Sequence, residues 1–211
     1  MRGVIFDLDG TLIDSAASIL TSLNAALDSL GLRSRHLLTP EIIGPPLDQA
    51  LALILDEQDA HRMRDVRLSF MAHYDEYGYK ETRVYDEIDR LLRYLSTASI
   101  KLFIATNKRM LPTRLIVNHL GWGSYFQEIY TLDRYSPVLT TKSALLAKVV
   151  GELRHNIYDL VYVGDRSEDE EAATANELSF IRASWGYGSW RAKPERSKIV
   201  NTPLDLIQLL G

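Results

Sequence analysis

Asp7, Asp9 and Asp14 follow directly on the apolar run Val4-Ile5-Phe6, with Gly10 and Thr11 between the second and third carboxylates. Residues two apart on a strand face the same side, so Asp7 and Asp9 leave the strand end together. Two carboxylates at the end of a buried strand repel each other and lose hydration, and positive charge beside them offsets both costs.

The rest of the chain supplies candidates for that charge and for partners of the acids. The run Lys101–Ala105 leads into Thr106, Asn107 and Lys108. The run Asp159–Val163 leads through Gly164 into Asp165, with Asp169 four residues on. Thr140 and Thr141 are cap residues for a helix whose first turn carries Lys142. Asp7, Asp9 and Asp165 make an all-oxygen donor set suited to a hard divalent ion, above all Mg²⁺. An aspartate is a competent nucleophile at phosphorus, and a lysine, a threonine hydroxyl and a metal ion neutralise charge on phosphoryl oxygens. Asp9 is close enough to exchange a proton with a leaving group or water. Asn107 either binds phosphate or turns the chain, and Lys108 competes with Lys142 as the phosphate-binding lysine.

These side chains must be brought to one edge. Near-continuously apolar runs at 3–6, 101–105, 128–132, 159–163 and 179–183 read as strands buried on both faces of a parallel sheet. Helical periodicity lies between them at 86–98 and 141–153, and 203–210 opens with Thr202 as N-cap and Pro203 in first position. Alternating strand and helix predict an α/β fold, a doubly wound, mostly parallel sheet whose carboxyl ends gather ligands. Residues 15–81 break the alternation. They carry helical patterns at 16–30, stopped by Gly31, and at 47–56 and 59–77, with a start signal at Thr39-Pro40-Glu41 and a break at Gly44-Pro45-Pro46. The expected organisation is a catalytic core of residues 1–14 and 82–211 with a helical cap, 15–81, inserted after the first strand. The cap's His61, His73, Tyr74, Tyr77 and Tyr79 read mainly as packing or surface.

The stretch "DLDGTLIDS", the strand ending in Thr106, the helical Lys142 and "VGDRSEDEEAA" resemble, in order, the four signatures of the haloacid dehalogenase superfamily. The insert is similar to that family's type-1 cap. "IIGPPL", "TNK" and "WGYGS" at 185–189 resemble its phosphoglycolate-phosphatase-like branch. The resemblance implies that Asp7 is the nucleophile and Asp9 the general acid/base, with its main-chain carbonyl on Mg²⁺. It also implies that Thr106 and Lys142 hold the phosphoryl group, that Asp165 ligates Mg²⁺, and that Asp169 supports it. The expected activity is Mg²⁺-dependent hydrolysis of a small phosphorylated metabolite, phosphoglycolate-like or a nucleotide, through an aspartyl-phosphate. A β-phosphoglucomutase-type phosphomutase and an inorganic pyrophosphatase use the same core, and a phospho-Asp switch is a distant alternative. Two departures stand out: Ser143-Ala144 follow Lys142 where Pro is common in the family, and Glu177 stands where a glycine is expected.

Composition narrows the field further. The net charge of −4 gives no footprint for nucleic acid, and no apolar stretch approaches the roughly 18 residues of a membrane helix. Strand pattern begins two residues from the N-terminus, which leaves no space for a signal peptide, so the expectation is a cytoplasmic protein. With no cysteine in the chain, disulfides, thiolate metal sites and a Cys nucleophile are excluded. Monomer and dimer are equally open.

Overall fold

The computed structural model describes residues 2–34, 36–55, 60–155, 157, 159–188 and 198–210. The expected helix ends at Asp56 and Asp59, and Ser189 of the "WGYGS" stretch, lie outside the described residues.

Six parallel strands form the central sheet: β1 (Arg2–Phe6), β4 (Lys101–Thr106), β5 (Phe126–Thr131), β6 (Asp159–Gly164), β7 (Ser179–Ala183) and β8 (Lys198–Val200). Their order is β5-β4-β1-β6-β7-β8, so the chain winds outward from β1 in both directions. A ligand crevice is expected at the carboxyl ends of the strands where the winding reverses, here around β1. Side chains on β1 alternate between two cores. Val4 and Phe6 pack with Leu91, Leu92 and Leu95 of α4 (Ile88–Thr97), with Ile116 of α5 (Met110–His119) and with Leu206 of α8 (Asp205–Leu210). Ile5 faces the other way, onto Leu145, Leu146 and Val149 of α6 (Lys142–Leu153) and Ala172 and Ala173 of α7 (Ser167–Ala175). Apolar side chains on both faces are what make the strand runs continuously apolar in sequence.

The helices α1 (Ala16–Ser29), α2 (Leu47–Leu55) and α3 (Ala60–Glu76) bury a third core of their own, including Leu23, Leu27, Leu51, Ile54, Val66, Phe70 and Tyr74. Gly31 stops the first of them at φ +64°, a left-handed conformation favoured by glycine. The two chain crossings between this insert and the sheet are joined. Strand β2 (Ile13–Asp14) pairs antiparallel with β3 (Arg83–Val84), Ile13 opposite Val84 and Asp14 opposite Arg83.

Several boundaries differ from the sequence reading. Strand β5 begins two residues earlier than expected, and Leu132 enters a short 3₁₀ turn. Helix α8 starts at Asp205, because the Asp205 carboxylate accepts the amides of Asn201 and Thr202, both at 2.9 Å, and holds the preceding residues in a turn. Thr39-Pro40-Glu41 opens only a 3₁₀ turn, Pro40–Ile42. Strands β2, β3 and β8 are too short to give a periodic signal.

Candidate active site

The carboxyl ends of β1, β4 and β6 and the first turns of α6 and α7 converge. The Asp7 amide continues the β1–β6 ladder by donating to the Val163 carbonyl at 2.9 Å, which fixes its side chain at the sheet edge. Beyond it the chain turns sharply: Leu12 and Ile13 return their amides to Leu8, and Gly10 sits at φ +87°. A Cβ on Gly10 would run into the Asp165 carboxylate, so close approach as well as backbone conformation requires glycine there.

Asp7, Asp165 and Asp169 are all buried and offer carboxylate oxygens within 4.8 Å of one another. Lys142, the first residue of α6, lies among them. Its ammonium donates to Asp7 Oδ1 at 2.7 Å, lies 3.1 Å from Asp169 Oδ1, and donates to the Tyr162 hydroxyl at 3.0 Å. Thr141 secures this turn as N-cap, its hydroxyl accepting the Ala144 amide at 3.1 Å. Asp169 is anchored twice more, by the Tyr162 hydroxyl at 2.9 Å and by the Arg166 amide at 3.2 Å.

Asp9 turns to a different cation. Lys108 donates to both of its oxygens, at 3.0 and 3.2 Å, and the Ser15 hydroxyl donates to Oδ1. The Lys108 ammonium also sits 4.6 Å from the centre of the Tyr74 ring on α3. The two lysines that compete in the sequence therefore serve different acids: Lys142 is at Asp7 and Asp169, and Lys108 is at Asp9. Thr106 is buried beside them, its hydroxyl accepting the Lys108 amide at 3.2 Å. Asn107 donates its side-chain amide to the Gly44 carbonyl of the insert at 2.8 Å. Arg109 forms a two-pronged pair with Asp75 on α3, at 2.6 and 3.0 Å. Three consecutive residues after β4 thus hold the insert against the sheet edge.

Burial dominates the electrostatics. It raises the Asp7 carboxyl to about 6 against the opposing pull of Lys142, with Asp169 and Asp9 adding to the rise. It raises Asp165 to about 7, with the charges of Asp169 and Asp7 adding. Burial acts against the Lys142 ammonium, but Asp169 and Asp7 outweigh it and hold the lysine above its ordinary range. Lys108 is held up in the same way by Asp9. Four acids against two lysines leave an excess of negative charge that a divalent cation fits. The oxygen donors of Asp7, Asp165 and Asp169 match Mg²⁺ in hardness.

Residues that the sequence reading left unassigned complete the site. Asp165 Oδ2 accepts the amides of Tyr187 and Gly188, at 2.8 and 3.2 Å. Trp185 donates its indole N–H to the Thr11 carbonyl at 3.0 Å. A Cβ on Gly186 would collide with Asp165 and with the Gly10 carbonyl. The Tyr187 hydroxyl accepts the amides of Ser15 and Ala16, at 2.7 and 3.1 Å, and donates to Asp14 Oδ1 at 2.8 Å. The glycines of "WGYGS" were the available signal for this close approach; the hydroxyls of Ser15 and Tyr187 carried none.

Two cavities meet at Asp7. The first, of about 100 Å³, has Asp7, Asp9 and Thr106 at its base and Ile19, Leu23, Ile42, Ile43, Leu47 and Phe70 of the insert above. The second is a polar groove that includes Thr141, Lys142, Arg166, Glu168 and Asp169. Asp7, Gly44, Pro45 and Asn107 line both.

The family model for haloacid dehalogenase-like hydrolases matches residues 4–183. Tyrosine-protein kinase PtkA of Mycobacterium tuberculosis is 35% identical over 187 residues, covering 88% of this chain, which spans only 62% of that protein's length. Phosphoglycolate phosphatase of Xylella fastidiosa is 31% identical over 204 residues, covering 92% of this chain and 84% of that protein. The crystal structure of a predicted phosphatase from Clostridium acetobutylicum superposes with a TM-score of 0.86 at 27% identity, covering 99% of this chain and 97% of that one. The family model and these relatives show that the chain belongs to the haloacid dehalogenase-like hydrolase family.

Proposed function

We propose that the protein is a Mg²⁺-dependent phosphomonoester hydrolase that works through an aspartyl-phosphate on Asp7. The observation that carries this reading is the buried cluster of Asp7, Asp165 and Asp169 around the Lys142 ammonium. Relatives named phosphoglycolate phosphatase support the reaction class.

Asp7, Asp165 and Asp169 would hold the metal, with the Asp9 main-chain carbonyl as a further donor, and the ion would supply positive charge to the phosphoryl oxygens. The Asp7 carboxylate attacks phosphorus, and the bond from phosphorus to the ester oxygen breaks. Asp9 relays a proton from solvent to the departing oxygen, then takes one from the water that attacks the phosphorylated Asp7 and returns it to solvent. Free phosphate leaves and the Asp7 carboxylate is restored. Lys142 and the Thr106 hydroxyl balance charge on the phosphoryl group throughout. Asn107 gives one of its two side-chain N–H groups to Gly44, which positions the insert beside the phosphate and leaves the other for a phosphoryl oxygen.

Phosphate release from phenyl phosphate, with Mg²⁺ or EDTA, tests the reading beside Asp7→Asn. The expected result is metal-dependent release that Asp7→Asn abolishes. Metal-independent release, or full activity in Asp7→Asn, would overturn it.

The PtkA relative supports a second reading, in which a tyrosyl hydroxyl takes the place of water as acceptor. Incubation with labelled ATP and a tyrosine peptide separates the two. Labelled tyrosine favours transfer, and labelled free phosphate favours hydrolysis.

A further inference from the structure

The cavity above Asp7 has walls of two kinds. Its base carries the groups that handle a phosphoryl unit, Asp7, Asp9 and Thr106. The part supplied by the insert is mostly aliphatic and aromatic, with the Tyr74 hydroxyl as its polar side-chain group. Leu23 and Phe70 also serve the insert's own core, but Ile19, Ile42 and Leu47 are half-buried and lie at its edge. All three pack against that core and also line the cavity.

Two cations line this cavity, and each is already engaged. Lys108 is held by both oxygens of Asp9, and Arg109 by both oxygens of Asp75. Lys142 belongs to the polar groove on the other side of Asp7. A carboxylate on the leaving group would lose its hydration against Ile19, Ile42, Leu47 and Phe70, where none of these cations is uncommitted. An uncharged ring or short alkyl chain would give up water there to its advantage.

Resting on the phosphomonoesterase reading, we infer that the insert selects phosphate esters of small, uncharged apolar alcohols or phenols. Esters whose leaving group carries a carboxylate, phosphoglycolate included, are disfavoured. Ile19, Ile42, Leu47 and Phe70 are the specificity-determining residues.

The test compares kcat/KM for propyl phosphate, benzyl phosphate and phosphoglycolate in the presence of Mg²⁺. The two esters with uncharged leaving groups are expected to exceed phosphoglycolate by at least about tenfold, the scale on which an unpaired buried charge is rejected. Leu47→Lys, which places an ammonium at the half-buried edge, should narrow or reverse that ratio. Phosphoglycolate turned over as fast as propyl phosphate, or faster, would overturn the inference and leave the phosphatase reading standing. No phosphate from any ester would overturn the phosphatase reading and this inference with it. Should Leu47→Lys fail to fold, the wild-type ratio alone decides.

Discussion

The Lys142 ammonium lies 2.7 Å from Asp7 Oδ1, both groups are buried, and the same ammonium lies 3.1 Å from Asp169. One cation at the start of α6 therefore sits between an acid from β1 and an acid from α7. Breaking a buried pair by removing one partner costs about 3–5 kcal/mol, because the other charge stays behind unpaired.

Lys142→Met keeps the length of the side chain and removes its charge. Phosphate release should fall at least about 100-fold, the scale of losing one preorganised charge in a catalytic site. The melting temperature should fall as well, and by less at pH 5, where the acids accept protons, than at pH 8. An unchanged rate of release would remove Lys142 from the phosphoryl site.

Asp7 and Asp165 also set the direction of the pH dependence. Their folded values, about 6 and about 7, lie above the ordinary carboxylate value of 3.8. At pH below that ordinary value both groups are protonated folded or unfolded, and they cost the fold nothing. Between about pH 4 and 7 the folded protein binds more protons than the unfolded chain, so its stability falls as pH rises. Metal-free protein should melt several degrees lower at pH 8 than at pH 5, and Mg²⁺ should raise the melting temperature more at pH 8. Thermal melts at the two pH values, with Mg²⁺ and with EDTA, decide this. A larger Mg²⁺ shift at pH 5 would contradict the assignment of these carboxylates as the metal's ligands.

Gly186 packs directly on Asp165 and the Gly10 carbonyl. Gly186→Ala should push the Asp165 carboxylate out of place and weaken Mg²⁺ at least about tenfold, as displaced supporting groups do around metal ligands. Titration of the metal-dependent melting shift measures this. Unaltered Mg²⁺ affinity would show that the loop yields to a methyl group.

Arg109 and Asp75 are partly exposed, 22% and 17%, so water screens their two-pronged contact. A double-mutant cycle with Arg109→Ala and Asp75→Ala should give a coupling of about 1 kcal/mol in stability. The same cycle in kcat/KM should show a coupling at least as large, because the pair seats α3 over the cavity. Zero coupling in both would make the contact a surface ornament with no bearing on turnover.

Much of this site was legible in the sequence, for a physical reason. Asp7, Thr106 and Asp165 each end a strand whose apolar run is unmistakable, and strand ends in a parallel sheet share one edge. Lys142 was legible through Thr140-Thr141, which mark a helix start. Which lysine serves which acid was not, because Lys108 lies in the loop after β4 and Lys142 opens α6, and residue type does not encode where either ammonium ends. The insert's helices were visible in their period, whereas its contacts with the sheet edge were not. Asn107, Lys108 and Arg109 touch Gly44, Tyr74 and Asp75 across long sequence separations with no periodic pattern. Glu177, where a glycine was expected, does take a positive φ of 55°, at a cost of roughly 1 kcal/mol. Asn176 instead ties α7 to α6 through the Ser143 carbonyl at 3.0 Å.

The ribbon of β2 and β3 has one more consequence. Because Ile13 lies against Val84 and Asp14 against Arg83, the inserted helices enter and leave the sheet through one doorway. A segment whose two ends stand side by side can grow, shrink or be exchanged for another without displacing any strand that carries an acid. Inheritance can therefore act on reactivity and on choice of substrate separately. The sheet edge keeps its acids in place, while the parts of the insert away from its contacts with Asp9, Asn107, Lys108 and Arg109 can change without moving them.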